Sequence, residues 1–254
     1  MLLRDRRAIV TGAAGASGSA AVRAFVREGA QVVALDVDDE RGRKVVAELG
    51  PAASYLHCDV ASRAEVDAVF ARAVAWLGGL DVLVHAAGIW KGGRPAEDLG
   101  DAEWDEMFTA VVVGTRNVNQ AAFPYLRERG GRILNFGSGS GIRGQRGAAH
   151  YSAAKGAVMA WTRTIAQEWA RHGITAHSIV PAVRSAMHES YLSGLTREGR
   201  EAHQRAMQQA IPLTGDSGDA DRDLAPVLVF LASDMSHFMT GQAIPVDGGM
   251  VMLG

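Results

Sequence analysis

A tyrosine, a lysine and a serine in the middle of the chain have types and spacings that suit acid–base chemistry. Tyr151 and Lys155 lie four residues apart in the run YSAAK, so on a helix they share one face. A phenol with a pKa near 10 is a poor acid or base at neutral pH, but a neighbouring ammonium stabilises the phenolate and lowers that pKa. Ser138 follows the run RILNF, and its hydroxyl can hold a carbonyl oxygen. The alternative is a tyrosine that merely packs beside a solvated lysine.

A glycine-rich turn follows the first apolar run of the chain. The stretch TGAAGASG precedes a helix-like segment. Its glycines permit a tight turn and a close approach of phosphate to backbone, and the helix N-terminus offers free N–H groups and a positive dipole end. An ordinary glycine-rich turn is the alternative, because this motif alone is weak. We assign to a nucleotide phosphate site Gly12, Gly15, Ala16, Ser17 and Gly18.

Two aspartates follow the next apolar runs. Asp36 ends the second run, where its carboxylate can accept hydrogen bonds from a ribose diol and would repel a 2′-phosphate. This favours NAD over NADP, and a solvated loop acid is the alternative. Asp59 can accept a hydrogen bond from an adenine amino group or cap the next helix, and both interpretations stay open. Cys58, beside it, is predicted to be a small buried apolar residue rather than a nucleophile.

The candidate site residues are positioned by a regular pattern of elements. In this pattern, short β-branched runs alternate with alanine-rich, helix-like stretches. The alternation predicts βαβ units and a parallel sheet, and the runs are apolar throughout, as expected when helices cover both faces. The helix that opens with Ser62 and Glu65 has the spacing of a capping box. The predicted strands cover residues 8–11, 31–36, 80–86, 131–136 and 174–180. Left-handed helix ends are predicted at Gly29, Gly50, Gly78, Gly130 and Gly173.

The composition excludes several classes of function. The 254 residues carry a formal net charge of −2, which gives no electrostatic reason to expect nucleic acid or an anionic membrane as partner. The single cysteine rules out an internal disulfide framework and suits a reducing compartment. No apolar run is long enough for a transmembrane helix, and the eight histidines form no metal-binding motif. We therefore expect a cytoplasmic globular protein without a metal.

Jointly, these motifs resemble those of the short-chain dehydrogenase/reductase family, in its short single-domain branch. The resemblance runs from Arg7 to about Gly249, through TGAAGASG, Asp36, CDV, AAG, Ser138, YSAAK and TGQAIPVDGG. It implies that Tyr151 is the general acid/base, that Lys155 binds the nicotinamide ribose and lowers the tyrosine pKa, and that Ser138 positions the substrate. The further cofactor contacts that it implies are Val60, Ala86, Ala87, Gly88, Pro181 and Ser185.

The chain departs from the family pattern at four places. Ala16 stands where the family has the middle glycine of its phosphate loop, and Ser185 stands near the position of a threonine that holds the carboxamide. His85 replaces a residue that braces the central strands, so we expect it to be structural while able to titrate near neutrality. Val111 replaces an asparagine that holds a water in a proton relay, which leaves only its backbone carbonyl for that task. Its packing stripe is Trp104, Phe108, Val111, Thr115, Val118, Ala122 and Leu126.

The substrate region is the least patterned part of the sequence. Trp90, Met187, His188 and Tyr191 fall where the substrate pocket of this family lies. Trp90 and Tyr191 suit an apolar, ring-bearing substrate, and the alternative is that they cover exposed edges of the core. Residues 184–213 are expected to form a lid that orders when ligands bind.

The sequence therefore predicts a doubly wound parallel α/β sheet, Rossmann-like, in a single NAD-binding domain over residues 1–254. The expected activity is an NAD-dependent interconversion of a secondary alcohol and a ketone, in which Tyr151 moves the proton. Two alternatives remain: a non-redox enzyme, such as a cyclase or dehydratase, and a dinucleotide-binding regulatory protein with weakened catalysis. The expected partners are a small-molecule substrate and further copies of the chain. The apolar tail at residues 250–253 predicts contact with another subunit in a homotetramer.

Overall fold

The computed structural model describes residues 1–185 and 192–252. Within them, seven parallel strands form a sheet in the order β3-β2-β1-β4-β5-β6-β7. This order makes the sheet Rossmann-like, because the chain works outwards from β1 in one direction and then from β4 in the other. The strands are β1 (Arg7–Thr11), β2 (Gln31–Asp36), β3 (Ala53–His57), β4 (Val82–His85), β5 (Gly131–Phe136), β6 (Ile174–Pro181) and β7 (Ala243–Val246).

Helices connect the strands and cover both faces of the sheet. They are α1 (Ala16–Arg27), α2 (Asp39–Ala47), α3 (Arg63–Leu77), α4 (Asp101–Phe108), α5 (Gly114–Leu126), α6 (Ser140–Arg143), α7 (Ala149–Glu168), α8 (Arg197–Ala210) and α9 (Ala225–Ala232). A π-helical segment, Thr109–Val113, joins α4 to α5. A second π-helical segment, Ala220–Leu224, leads into α9.

The core has two halves, one on each face of the sheet. Ile9 and Val10 are neighbours on β1, so their side chains point to opposite faces, and both are fully buried. Val10 packs in the cluster that contains Phe25 of α1 and Leu228 of α9. Ile9 packs in the cluster formed with α3, α5 and α7, through Phe70, Leu126 and Ile165. This two-sided packing confirms the predicted doubly wound sheet, and truncation of either buried phenylalanine to alanine would cost about 3–5 kcal/mol.

The predicted strands and helix ends agree best with the structure where the prediction depends on a few neighbouring residues. The five predicted strands are present, although the one predicted over residues 80–86 is β4, which covers only Val82–His85. All five helix-ending glycines have a positive φ. The predicted capping box is only half formed: Ser62 accepts the Glu65 N–H, but the Glu65 carboxylate accepts the Asp59 N–H at 3.0 Å. The glutamate therefore holds the cleft-side turn instead of its own helix end.

A half-buried ion pair between Arg7 and Asp81 fixes the amino-terminal edge of the central strands. Asp81, just before β4, accepts two hydrogen bonds of 2.8 Å from the Arg7 guanidinium and one of 2.9 Å from the Arg7 backbone N–H. Burial alone would raise the pKa of the Asp81 carboxyl, but the bonds from Arg7 outweigh it and hold that pKa below its ordinary value. The pair aligns β1 with β4, whose opposite ends flank the candidate site.

Candidate active site

A cleft of about 310 Å³ opens at the carboxyl ends of β1 and β4, where the strand order reverses. Ligands of open parallel sheets bind at such switch points. Of the residues predicted to bind cofactor, the cleft is lined by Gly12, Gly15, Asp36, Asp59, Val60, Ala86, Ala87 and Gly88. It is also lined by residues that the sequence analysis did not assign to the cofactor: Ala14, Val37, Asp38, Arg41, Cys58, Ile89 and Ala110.

The turn between β1 and α1 forms a cradle that excludes side chains. A Cβ atom on Gly12 would lie 2.5 Å from the Ala87 nitrogen, and one on Gly18 would lie 2.1 Å from the Gly12 carbonyl oxygen. Gly15 is the N-cap of α1 and makes no side-chain capping bond, so the first N–H groups of the helix can meet an anion. Ala16 and Ser17 begin that helix. The cradle therefore fits the pyrophosphate of a dinucleotide.

The Asp36 carboxylate has a fixed orientation at the end of β2. One carboxylate oxygen accepts the Ala14 N–H at 2.9 Å, and the other accepts the Asp38 N–H at 3.0 Å. Each oxygen keeps a lone pair for a ribose hydroxyl. Arg41 lines the same cleft from the first turn of α2, with its guanidinium 3.6 Å from the Asp38 carboxylate. The sequence analysis missed Arg41 because this residue lies on α2 and not directly after β2.

Asp59 and Cys58 form the wall of the cleft after β3. The Asp59 carboxylate accepts the Ala61 N–H at 2.9 Å, and Ser62, not Asp59, caps α3. The capping alternative for Asp59 is therefore wrong. Cys58 is buried, as predicted, and burial raises the pKa of its thiol to about 12, so it is a poor nucleophile at neutral pH.

Ser138, Tyr151 and Lys155 come together where β5 and α7 meet. The Lys155 ammonium donates a 2.8 Å hydrogen bond to the Phe136 carbonyl and lies 5.9 Å from the centre of the Tyr151 ring. The Ser138 hydroxyl accepts the Ser140 N–H at 3.1 Å, which fixes its direction. The structure thus places the three predicted residues in one group.

Burial controls the protonation of this group. It lowers the pKa of Lys155 to about 8, so the ammonium form still predominates at neutral pH. It raises the pKa of the Tyr151 phenol, and the neighbouring Ser138 hydroxyl offsets only part of that rise. The pKa of Tyr151, which was expected to be lowered, is therefore raised in the protein without cofactor. Tyr151 is therefore a protonated phenol beside a cation at neutral pH.

His85 lies in a buried chain of hydrogen bonds whose direction can be assigned. The Thr115 hydroxyl donates to the Val111 carbonyl at 2.6 Å, so it must accept from His85 Nε2, which lies 3.1 Å away. His85 Nδ1 then accepts from the Thr11 hydroxyl at 2.7 Å. Burial, with a smaller effect of the nearby Lys155 charge, lowers the pKa of His85 to about 3. The expectation that His85 can titrate near neutrality is therefore wrong, because a charged imidazole would lose its solvation.

Val111 lies at the middle of the π-helical segment. Its side chain is buried in a small cluster with Met107 and Val158, against which Tyr151 packs. Its carbonyl oxygen accepts the Thr115 hydroxyl at 2.6 Å and shares the Gly114 N–H with the Thr109 carbonyl. A relay water would have to bind this oxygen beside the Thr115 hydroxyl, and the route through the backbone that the sequence analysis left open stays a prediction.

Of the other predicted residues, the structure describes Trp90, Pro181 and Ser185, and none of them lines the cleft. Trp90 is half-buried and packs over Gly92, while the neighbouring Gly93 N–H donates to the Gly147 carbonyl at 2.8 Å, just before α7. Pro181 ends β6 beside Val246, and the half-buried Ser185 follows four residues later. Met187, His188 and Tyr191 lie outside the described residues, so their predicted substrate role stays a prediction.

The chain matches known proteins along almost its whole length. Residues 12–251 match a family model described as enoyl-(acyl carrier protein) reductase. The short-chain reductase protein NovJ of Streptomyces niveus is 34% identical over 247 residues, which cover 95% of this chain and 92% of that protein. The sorbitol dehydrogenase of Cereibacter sphaeroides is 32% identical and is covered to 98%, as is this chain. A 3-oxoacyl-(acyl-carrier-protein) reductase of Thermotoga maritima is 34% identical, with 99% of this chain and 100% of that protein covered.

Fold, site and relatives agree on the class of chemistry. Reductases and a dehydrogenase match over nearly full length, so the chain is an oxidoreductase, and its relatives use nicotinamide dinucleotide cofactors. Across residues 1–185 and 192–252, no helix is both long and apolar enough to span a bilayer. From the phosphate cradle to the group of Ser138, Tyr151 and Lys155, the chain belongs to the short-chain dehydrogenase/reductase family.

Proposed function

We propose that the protein is an NAD-dependent oxidoreductase that interconverts a secondary alcohol and a ketone. One observation carries this proposal: Tyr151, Lys155 and Ser138 form a group at the carboxyl end of β5, beside a cleft with a phosphate cradle at its other end. A dinucleotide laid along the cleft, with its pyrophosphate in the cradle, would bring its nicotinamide to this group. When bound, the nicotinamide would exchange a hydride with the substrate carbon.

Three side chains of the protein would orient the substrate oxygen and transfer the proton. Ser138, whose hydroxyl direction is fixed by Ser140, would donate a hydrogen bond to the substrate oxygen. Tyr151 would transfer its phenolic proton to that oxygen during ketone reduction and would take it back during alcohol oxidation. The Lys155 ammonium would stabilise the resulting phenolate. Because burial keeps Tyr151 protonated, ketone reduction is the proposed direction at neutral pH.

The preference for NAD rests on Asp36. Its carboxylate is held in place by two backbone N–H groups, so it cannot swing away from a 2′-phosphate without losing both bonds. Arg41 acts in the opposite sense, because a guanidinium in the same cleft attracts a phosphate. Arg41 is already paired with Asp38, so we propose that the repulsion from Asp36 decides the preference.

Turnover of a ketone panel tests the proposed reaction. The wild-type protein is mixed with NADH and each of a set of aliphatic, cyclic and aromatic ketones, and the absorbance of the reduced nicotinamide is followed. Consumption that requires both ketone and Tyr151 supports the proposal. Tight NADH binding without turnover of any ketone would contradict it and favour the dinucleotide-binding regulatory protein, for which the apolar Val111 beside Tyr151 is the supporting observation.

We further propose that the chain assembles as a homotetramer in the cytoplasm. The supporting observation is its exposed apolar surface: Phe238 is 95% exposed and Met252 is 80% exposed, and an apolar groove runs along Val112, Val113 and Trp161. The tail itself contributes less than expected, because Val251 is buried within its own chain.

A further inference from the structure

The last described residues form a compact turn after β7, here called the C-terminal turn (Asp247–Met252). Asp247 is only 7% exposed, and its carboxylate accepts the Gly249 N–H at 3.0 Å and the Val251 N–H at 2.8 Å. Gly248 and Gly249 both have a positive φ, which lets the backbone fold around the carboxylate. The Asp247 side chain thus holds the backbone of this turn together by two hydrogen bonds.

One side of the C-terminal turn contacts the loop of the catalytic serine. Val251 is 8% exposed, and a Cβ atom on Gly139, the residue after Ser138, would lie 2.9 Å from its Cγ2. The Arg143 guanidinium, at the end of α6, donates to the Met250 carbonyl at 3.3 Å. Residues 139–143 therefore rest on the turn at two points.

The other side of the C-terminal turn contacts the end of the predicted lid. The Leu213 N–H donates to the Gly248 carbonyl at 3.0 Å. Ile211, the residue after α8, is 2% exposed, and a Cβ atom on Gly248 would lie 2.6 Å from its Cγ2. Residues 211–213 are thus fixed by the same turn that supports residues 139–143.

We infer that Asp247 is a positioning residue of the substrate site: by holding the C-terminal turn, it gives the Ser138 loop and the end of the lid a common support. The kinetic part of this inference rests on the proposed function. Neither element lines the described cofactor cleft. Loss of the support would therefore disturb the substrate side of the site and leave the dinucleotide side unchanged.

Hydrogen exchange tests the support without any need for turnover. In Asp247→Ala, with NADH bound, we expect amides of residues 139–143 and of 211–215 to exchange about tenfold faster than in the wild type, because two hydrogen bonds that order the turn are lost. Asp247→Asn keeps one acceptor oxygen and should restore much of the protection. Asp67→Ala, which removes an exposed carboxylate on α3, is the matched control. Faster exchange confined to residues 247–252 would overturn the inference.

Val251→Ala tests the contact of the turn with residues 139–143 separately from its contact with residues 211–213. It also replaces Asp247→Ala as the test variant if Asp247→Ala does not fold. It keeps the Asp247 carboxylate and both backbone bonds but removes the side chain that contacts Gly139. Faster exchange is then expected in residues 139–143 only. An equal response in residues 211–215 would mean that the turn melts as a whole and that no separate contact on the serine loop exists.

The steady-state constants distinguish positioning from general damage. For the ketone that the wild type reduces fastest, Asp247→Ala should raise KM about fivefold or more, because misplacement of supporting groups weakens substrate orientation, while the Kd of NADH measured by fluorescence stays unchanged. A parallel rise of both constants would overturn the inference. If the wild type reduces no ketone, the proposed function fails, and the exchange experiment still decides whether Asp247 supports both elements.

Discussion

Thr115 donates its hydroxyl hydrogen to the carbonyl oxygen of Val111 across 2.6 Å, within the helix that packs against Tyr151. This bond fixes the tautomer of His85 and uses the carbonyl group of residue 111 as its acceptor. The hydrogen bonds thus run from the Thr11 hydroxyl through His85 and Thr115 to the Val111 carbonyl.

Val111→Asn should place a polar side chain next to the carbonyl that accepts the Thr115 hydroxyl. If proton delivery limits turnover, we expect kcat to rise while the Kd of NADH changes little. The amide enters an apolar cluster, so we also expect a loss of about 1–3 kcal/mol in the free energy of unfolding. An unchanged kcat in a folded variant would show that proton delivery is not limiting.

His85 should make the stability of the protein depend on pH. Because burial lowers its folded pKa to about 3 from its ordinary value of 6.5, the unfolded chain binds more protons between these values. Stability is therefore full above pH 6.5 and falls with acidification, by about 1.4 kcal/mol per pH unit for one proton. His85→Asn should flatten the dependence between pH 6.5 and 5 in urea unfolding. His57→Gln is the control, since its raised pKa acts in the opposite direction.

Tyr151→Phe should remove the proton carrier and keep the ring. We expect kcat to fall by about two orders of magnitude or more, with an unchanged Kd for NADH by fluorescence titration. Activity close to that of the wild type would assign the proton transfer to another residue.

Asp36→Ser should shift the cofactor preference towards NADP. Removal of the carboxylate ends its repulsion of the 2′-phosphate and leaves Arg41 to attract it, so the ratio of NADPH to NADH Kd values should fall about tenfold. Adding Arg41→Ala to this variant should reverse most of the gain. Tighter binding of NADPH than NADH by the wild type would contradict the assigned role of Asp36.

Light scattering at micromolar concentration should give the mass of a tetramer. The mass of a monomer would contradict the proposed tetramer. The mass of a dimer would show that only one of the two kinds of interface in the proposed tetramer forms. Phe238→Ser removes the most exposed apolar ring among the described residues and is expected to weaken one interface, whereas substitution of the half-buried Trp161, whose indole donates to Asn119, would also damage the monomer.

The parts of the site that were predicted from the sequence are those with local signals. The phosphate turn, Asp36 and the Tyr151–Lys155 pair each depend on spacings within one element or turn. Arg41 was missed because it lies on α2 rather than directly after β2. Asp247 was missed because the role proposed for it depends on contacts between its turn and residues far away in the chain. Thr115 appeared only as a packing position, because its hydrogen bond to His85 joins residues that are 30 apart in the chain. β7, with Pro245 and only four residues, had too short an apolar run to be singled out as a strand.

The strand order also prescribes when each part of the protein can form during synthesis. β1 pairs with β2, which follows soon after it, but its other neighbour, β4, leaves the ribosome much later. The nucleotide cleft therefore first exists when β4 docks, because long-range parallel pairing must wait for the chain. Tyr151 and Lys155 arrive next, and the C-terminal turn, which we propose as a support of the Ser138 loop, arrives after them. A nascent chain would thus acquire a place for the dinucleotide well before it can complete a place for the substrate.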